Sequence, residues 1–169
     1  MSTRTAEYWI SRLQLATHIE GGAFREIYRS PVIAPATALP GEFTSDRSFC
    51  TSIYFLLQQH QFSAFHKIKS DEVWHFYYGD ALIVYEIDQE GRLIEHRLGY
   101  DPDNNETFQC VIPAGNWFAA RLVPGGDYSL VGCTVSPGFD FADFELAKQN
   151  ELIAAYPDHS PLIKELTIQ

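Results

Sequence analysis

Between residues 49 and 136 the chain divides into short apolar runs at 49–58, 62–68, 72–78, 81–87, 92–98, 107–112, 117–123 and 128–136. Each is rich in aromatic and β-branched residues, which suit a pleated, half-buried surface. The breaks are turn chemistry: Gly79-Asp80, Asp88-Gln89-Glu90-Gly91, Pro113-Ala114-Gly115-Asn116 and Pro124-Gly125-Gly126-Asp127. No long helical pattern separates the runs, so a parallel β-α-β architecture is disfavoured. Eight or nine antiparallel strands within 169 residues imply one all-β domain, a sandwich, jelly roll or barrel.

The ends of the chain differ from its middle. Trp9, Ile10 and Leu13 recur at helical spacing, with Glu7 early and Arg12 late, which predicts a helix over about 5–16 lying on the barrel. Glu20-Gly21-Gly22-Ala23 is a flexible turn leading into a first strand, F-R-E-I-Y-R-S. Residues 31–48, rich in Pro, Ala, Thr, Gly and Ser, form a long loop. The barrel core is expected at about 24–136 of a single domain, 1–169. Asp140 is a fitting N-cap for a helix over 141–155, stopped by Tyr156-Pro157, and a last helical turn is expected at 161–166.

A formal net charge of −10 without a Lys/Arg cluster argues against nucleic acid and against anionic membrane surfaces. No run approaches the length of a membrane span and no leader is visible, so a cytoplasmic location is expected. Cys50, Cys110 and Cys133 are far apart, without C-x-x-C spacing, and are expected as buried reduced thiols.

The chemistry-bearing stretch is 64–79, A-F-H-K-I-K-S-D-E-V-W-H-F-Y-Y-G, which sets His66, Glu72 and His75 among strand-forming apolar residues. Titratable groups cost free energy there unless paired, liganded or turned to a wet cavity. A polar site inside the barrel follows. A three-residue hairpin at Lys69-Ser70-Asp71 would oppose Ile68 to Glu72 and His66 to Trp74. His66, Ile68, Glu72, Trp74 and Phe76 would then share one face, with Lys67, Val73, His75 and Tyr77 on the other. His75 joins the first face only through a bulge. A second hairpin at Gly79-Asp80 would add Ile83, Tyr85 and Ile87 to the face of Glu72.

These residues resemble the cupin superfamily. Its first motif is G-x5-H-x-H-x3,4-E-x6-G, and His66, Glu72 and Gly79 fit its first His, its Glu and its closing Gly. Its second motif, P-x-G-x2-H, is matched by Pro113 and Gly115. In finer pattern the chain is similar to the cupin-5 (DUF985) group: G-G-x-F-R-E-x-Y-R-S at 21–30, D-E-V-W-H-F-Y-x-G-D at 71–80 and W-F-A-A at 117–120. The resemblance implies a double-stranded antiparallel β-helix, a jelly-roll type barrel, with short helices at both ends. It also implies a homodimer, by exchanged or abutted edge strands.

Metal-binding cupins use three His and one Glu. Ile68 and Phe118 stand where two of those His would be, so no cofactor is expected. The resemblance then implies a cup for a small polar, sugar-like or nucleotide-like ligand, with metal-independent isomerase or epimerase chemistry. His66 and Glu72 are its candidate catalytic groups, with Tyr85 or Tyr54 as the acid beside His66. Arg25 swings over the mouth, and Tyr54, Trp74, Phe76 and Phe118 line the pocket. The bland counterparts are a His66–Glu72 hydrogen bond in a relict site, an outward His75, and an Arg25–Glu26 ion pair beside the barrel. Two other functions stay open: a divalent-metal enzyme with His66, Glu72 and His75 as ligands, and a non-enzymatic ligand sensor.

Overall fold

The computed structural model describes residues 4–168. Two antiparallel sheets face each other. The first has six strands in the order β1 (Ala16–Thr17), β2 (Ala23–Arg29), β5 (Thr51–Gln58), β12 (Tyr128–Ser136), β7 (Asp71–Gly79) and β10 (Gln109–Ile112). The second has five, in the order β13 (Glu145–Leu146), β6 (Phe62–Lys67), β11 (Trp117–Leu122), β8 (Leu82–Ile87) and β9 (Leu93–Leu98). A short ladder of β3 (Ile33–Ala34) and β4 (Arg47–Ser48) lies within the long loop. This is the jelly-roll arrangement that the cupin resemblance implies, one of the three that the strand pattern left open.

The main core fills the space between the sheets. Phe55 and Leu57 of β5, Trp74 of β7, Val131, Cys133 and Val135 of β12 meet Leu82 and Val84 of β8 and Phe118 and Ala120 of β11. The outer faces are covered by helices. Helix α1 (Ala6–Leu13), capped by the Thr5 hydroxyl, sets Ala6, Trp9, Ile10 and Leu13 on Leu56, Tyr128 and Leu130. Helices α2 (Gln149–Ala155) and α3 (Ser160–Glu165) set Leu152, Ile163 and neighbours on Phe65, Ile83, Tyr85, Ile87 and Ala119. Among the described residues no helix is long and apolar enough to cross a membrane.

The anticipated strands form, with ends displaced by one or two residues. Their connections do not. The Lys69-Ser70-Asp71 and Gly79-Asp80 turns make no hairpins, because β6 and β7, and then β7 and β8, lie in opposite sheets. Each turn is a corner at which the chain crosses the sandwich. A bulge in β7 also shifts parity: Leu130 pairs with Tyr78 but Val131 with Phe76, leaving Tyr77 extra. Leu82 and Val84 therefore face the core, and Ile83, Tyr85 and Ile87 face the C-terminal helices. The helix expected over 141–155 begins only at Gln149. Asp140 caps a 3₁₀ turn (Phe141–Asp143) instead, and β13 follows it. Pairing of β13 with β6 and the Arg47–Asp143 ion pair hold this stretch out of a helix.

Candidate functional site

His66 and Glu72 line one cavity of about 280 Å³ at an end of the sandwich, one reaching in from each sheet. They converge because they flank the Lys69-Ser70-Asp71 corner from opposite sheets, not because their strands pair. Two further residues complete the polar end of the cavity. One is Glu20, carried on the turn between β1 and β2. The His18 N–H donates to the Gly22 carbonyl (3.0 Å), and the Ala64 N–H donates to the Glu20 carbonyl (2.9 Å), which seats the turn against β6. Gly21 holds φ +114°, and a Cβ there would lie 2.0 Å from the Phe62 carbonyl oxygen. Only glycine lets the turn approach this closely. The other is Ser63. A bulge in β6, where Phe118 pairs with His66 but Ala120 with Ser63, puts two residues three apart on one face.

The hydrogen bonds fix who carries protons. His66 Nδ1 donates to the Ala64 carbonyl at 2.7 Å, since a carbonyl can only accept, so Nε2 is the free nitrogen. Nε2 lies 3.2 Å from Glu20 Oε2. Two lone pairs at that separation repel, so the pair is built to share one proton. The Ser63 hydroxyl donates to Glu20 Oε1 at 2.8 Å, and His18 Nδ1 stands 3.7 Å from Oε2. Burial pushes Glu20 up to about 6 and His66 down to about 4, so a proton bound by the pair sits on the carboxyl, and near neutral pH the pair is mostly open to accept one. Glu72 is pushed up to about 8, first by burial and then by the nearby charge of Glu20. Cys133 lines the cavity beside it, and burial raises that thiol well above its ordinary value, which keeps it protonated. His18 is lowered by burial.

The walls and mouth are aromatic and charged. Phe24, Phe139, Phe141 and Phe144 line the cavity with Glu26, Arg29 and Asp140. In β2 a register shift between Glu26 and Tyr28 brings Arg29 to the same side as Phe24 and Glu26. Glu26 pairs with Arg29 at 2.7 Å, not with Arg25. Phe144 and Phe118 flank the His66 ring at centroid distances of 5.2 and 4.0 Å.

Several expected site residues lie elsewhere. Arg25 points out and caps α1, donating to the Leu13 carbonyl and Gln14 Oε1, both at 3.0 Å. Tyr54 is on the outer face, edge-on to Tyr77 and packed in the cluster under α1. Tyr85 is buried beneath the C-terminal helices, where its hydroxyl accepts from Arg121 Nε at 3.3 Å. Trp74 is core, edge-on to Phe55 and Phe118. Phe76 turns toward Tyr100, away from the cavity. His75 stays outside: Nε2 donates to Thr134 Oγ1 (3.0 Å), Nδ1 accepts from Gln109 (2.9 Å), and the ring stacks on Tyr77. The β7 bulge falls after His75 and cannot turn it in.

That geometry bears on metal. Of the four donor positions in the cupin motifs, Ile68 and Phe118 are buried apolar side chains. His75 is on the wrong face. Among the described residues no three His, Cys, Asp or Glu side chains stand in an arrangement that would hold a metal ion. The side chains present do not fit the four-donor centre that the motifs imply.

Comparison with known proteins adds the lineage. A family model described as "Cupin superfamily (DUF985)" matches residues 7–147. The solved structure of protein SO0799 from Shewanella oneidensis superposes with a TM-score of 0.87 at 39% identity, covering 98% of this chain and 99% of that one. A hypothetical protein from Leishmania major gives a TM-score of 0.87 at 35% identity, with the same coverage. An uncharacterized protein of Saccharomyces cerevisiae, YML079W, is 32% identical over 151 residues, 82% of this chain and 73% of that one.

Proposed function

The chain belongs to the DUF985 family of the cupin superfamily, and within that fold we propose a cup that binds a small polar, sugar-like ligand and moves a proton on it without a metal. One observation carries this reading: the same cavity holds Glu20, its Oε2 3.2 Å from His66 Nε2, and, from the opposite sheet, Glu72, with burial raising both carboxyls and Glu72 the further. Two acid–base centres pushed apart in pKa within one cavity are what isomerisation or epimerisation needs. The Glu20–His66 pair accepts the proton and Glu72 supplies one. Glu72 is therefore the acid, the role expected of Tyr85 or Tyr54, and Glu20 is the group beside His66. A cavity of about 280 Å³ is at the low end of small-molecule pockets, about 300–1,000 Å³. It takes a group the size of a single sugar ring.

Exchange of solvent deuterium into bound ligand tests this. The rate should rise with pH as Glu20 loses its proton near 6 and fall as Glu72 loses its own near 8, a bell between those values. Glu72→Gln should abolish exchange and leave binding within a few-fold. Full exchange in that variant, or a profile flat from pH 5 to 9, would refute the assignment.

The chain also offers a surface for a second copy. Beyond Phe24, β2 pairs only with β5, and Ile27 and Tyr28 lie exposed near Val32, Ile33 and Phe49. An apolar free edge of this kind invites strand pairing. Sedimentation should give twice the mass of one chain, and Tyr28→Lys should shift it to the monomer. A wild-type monomer at high protein concentration would remove the dimer.

A further inference from the structure

The charge inside the cup is one-sided. Among the described residues lining it, Arg29 is the only Lys or Arg. Its guanidinium is already committed, with Nε and Nη2 donating to Glu26 (3.1 and 2.7 Å) and Nη1 to the Phe139 carbonyl (3.1 Å). Asp140 at the mouth faces no further cation of the lining, and Glu20 and Glu72 stand inside. His18 and His66 are held neutral by burial. An anionic ligand would find no free positive charge here, and would be opposed by the Asp140 carboxylate at the mouth and, above about pH 6, by Glu20.

The walls point the same way. Phe139, Phe141 and Phe144 pack edge to face, with centroids 5.1, 6.2 and 6.2 Å apart and interplanar angles of 80°, 70° and 72°. Three mutually tilted phenyl rings present faces in three directions, and an aromatic face carries negative potential. Such cages, with a carboxylate nearby, are how proteins hold ammonium groups. Glu72 is over nine-tenths buried and lines the cavity with Cys133 beside it, so an oxygen lone pair remains for a ligand.

We propose that the cup selects a positively charged ligand, an amine or ammonium group seated in the Phe139–Phe141–Phe144 cage and facing the Glu72 carboxyl. The proposal rests on the small-ligand reading above and narrows it, and it sets aside nucleotides and sugar phosphates.

Matched probes separate the two readings. Titration calorimetry of the full chain slightly below neutral pH would compare choline with its uncharged isostere 3,3-dimethylbutan-1-ol. Glucosamine, glucose and glucuronate give one sugar skeleton with positive, zero and negative charge. Each cation should bind about tenfold more tightly than its neutral partner, with glucuronate weakest. Phe141→Leu, at an exposed position that should tolerate it, should bring the cation and neutral affinities to within about threefold. Neutral probes binding as well as cations, or glucuronate binding best, would overturn the charge selection while the cup remains. No heat from any of the five probes would overturn the small-ligand reading itself, and the proposal with it.

Discussion

Replacing Asp143 by alanine will cost the fold about 3–5 kcal/mol, the expected effect of stripping one partner from a buried ion pair. Arg47 meets Asp143 with two parallel hydrogen bonds of 2.6 and 2.7 Å, and the two side chains are 2% and 4% exposed. The remaining guanidinium nitrogen, Nη1, donates to the Ser45 carbonyl and hydroxyl and to the Asp46 carbonyl. One pair thus fastens the long loop to the turn that carries Phe141 and adjoins Phe139 and Phe144. Removing Asp143 leaves a guanidinium without its counter-ion in a place water does not reach. Against a typical stability of about 5–15 kcal/mol, that loss is a large fraction. Arg47→Lys should also be costly, since an ammonium cannot reproduce the fork. Joint replacement, Arg47→Met with Asp143→Leu, should recover most of the loss, because neither charge then needs burying and Lys69, 3.4 Å from Asp143 Oδ1, is partly exposed to water. Denaturant unfolding measures all of these, and an Asp143→Ala variant within about 1 kcal/mol of wild type would mean the pair is hydrated after all. The same variant should bind cup ligands more weakly, as the aromatic roof loses its anchor.

The strands were legible because their evidence is local. Turn residues between apolar runs placed nearly every one of them, and His66 and Glu72 stood out as charged groups in apolar surroundings. Sheet membership was not local. Lys69-Ser70-Asp71 has the length of a hairpin loop but joins β6 to β7 across the sandwich. Nothing in three residues distinguishes a hairpin from a corner, because the choice is made by which partners β11 and β12 offer to each strand. The fate of Tyr85 followed from that error and from one bulge at Tyr77, since a single extra residue exchanges the faces of everything after it. Arg25 and Glu26 were placed in the correct strand with the wrong side facing in.

Glu20 was missed for a different reason. An acidic residue before Gly-Gly looks like a solvated turn, and only the approach of that turn to β6 buries it. The doubled glycine was the available signal, since two residues at positive φ are needed only where backbone must pass close to something else. The run F-D-F-A-D-F at 139–144 carried a signal too. Phe139 and Phe141 are two apart, which one helix face does not accommodate, so the three rings could not all lie on one. The Arg47–Asp143 pair, 96 residues apart, left no local trace.

Glu72→Gln should make the protein more stable, and only at higher pH. The carboxyl titrates near 8 in the folded chain against an ordinary value of 4.5. A group with its folded pKa raised favours the fold fully while protonated in both states, below about 4.5. That advantage is then lost progressively as pH rises to about 8, because the unfolded chain releases the proton first. A glutamine has the shape of the protonated acid, keeps a carbonyl beside Cys133, and cannot ionise. The variant should therefore melt close to wild type at pH 5 and on the order of 5 °C higher at pH 8.5. Glu20, whose carboxyl is also raised by burial, keeps titrating in both proteins, so the difference between their melting curves isolates position 72. Stability gained by removing a side chain, together with loss of proton exchange into ligand, is how a group kept for chemistry differs from one kept for packing. A variant that melts lower than wild type by the same amount at both pH values would show that the carboxyl serves the fold, and the acid role assigned to it would fall.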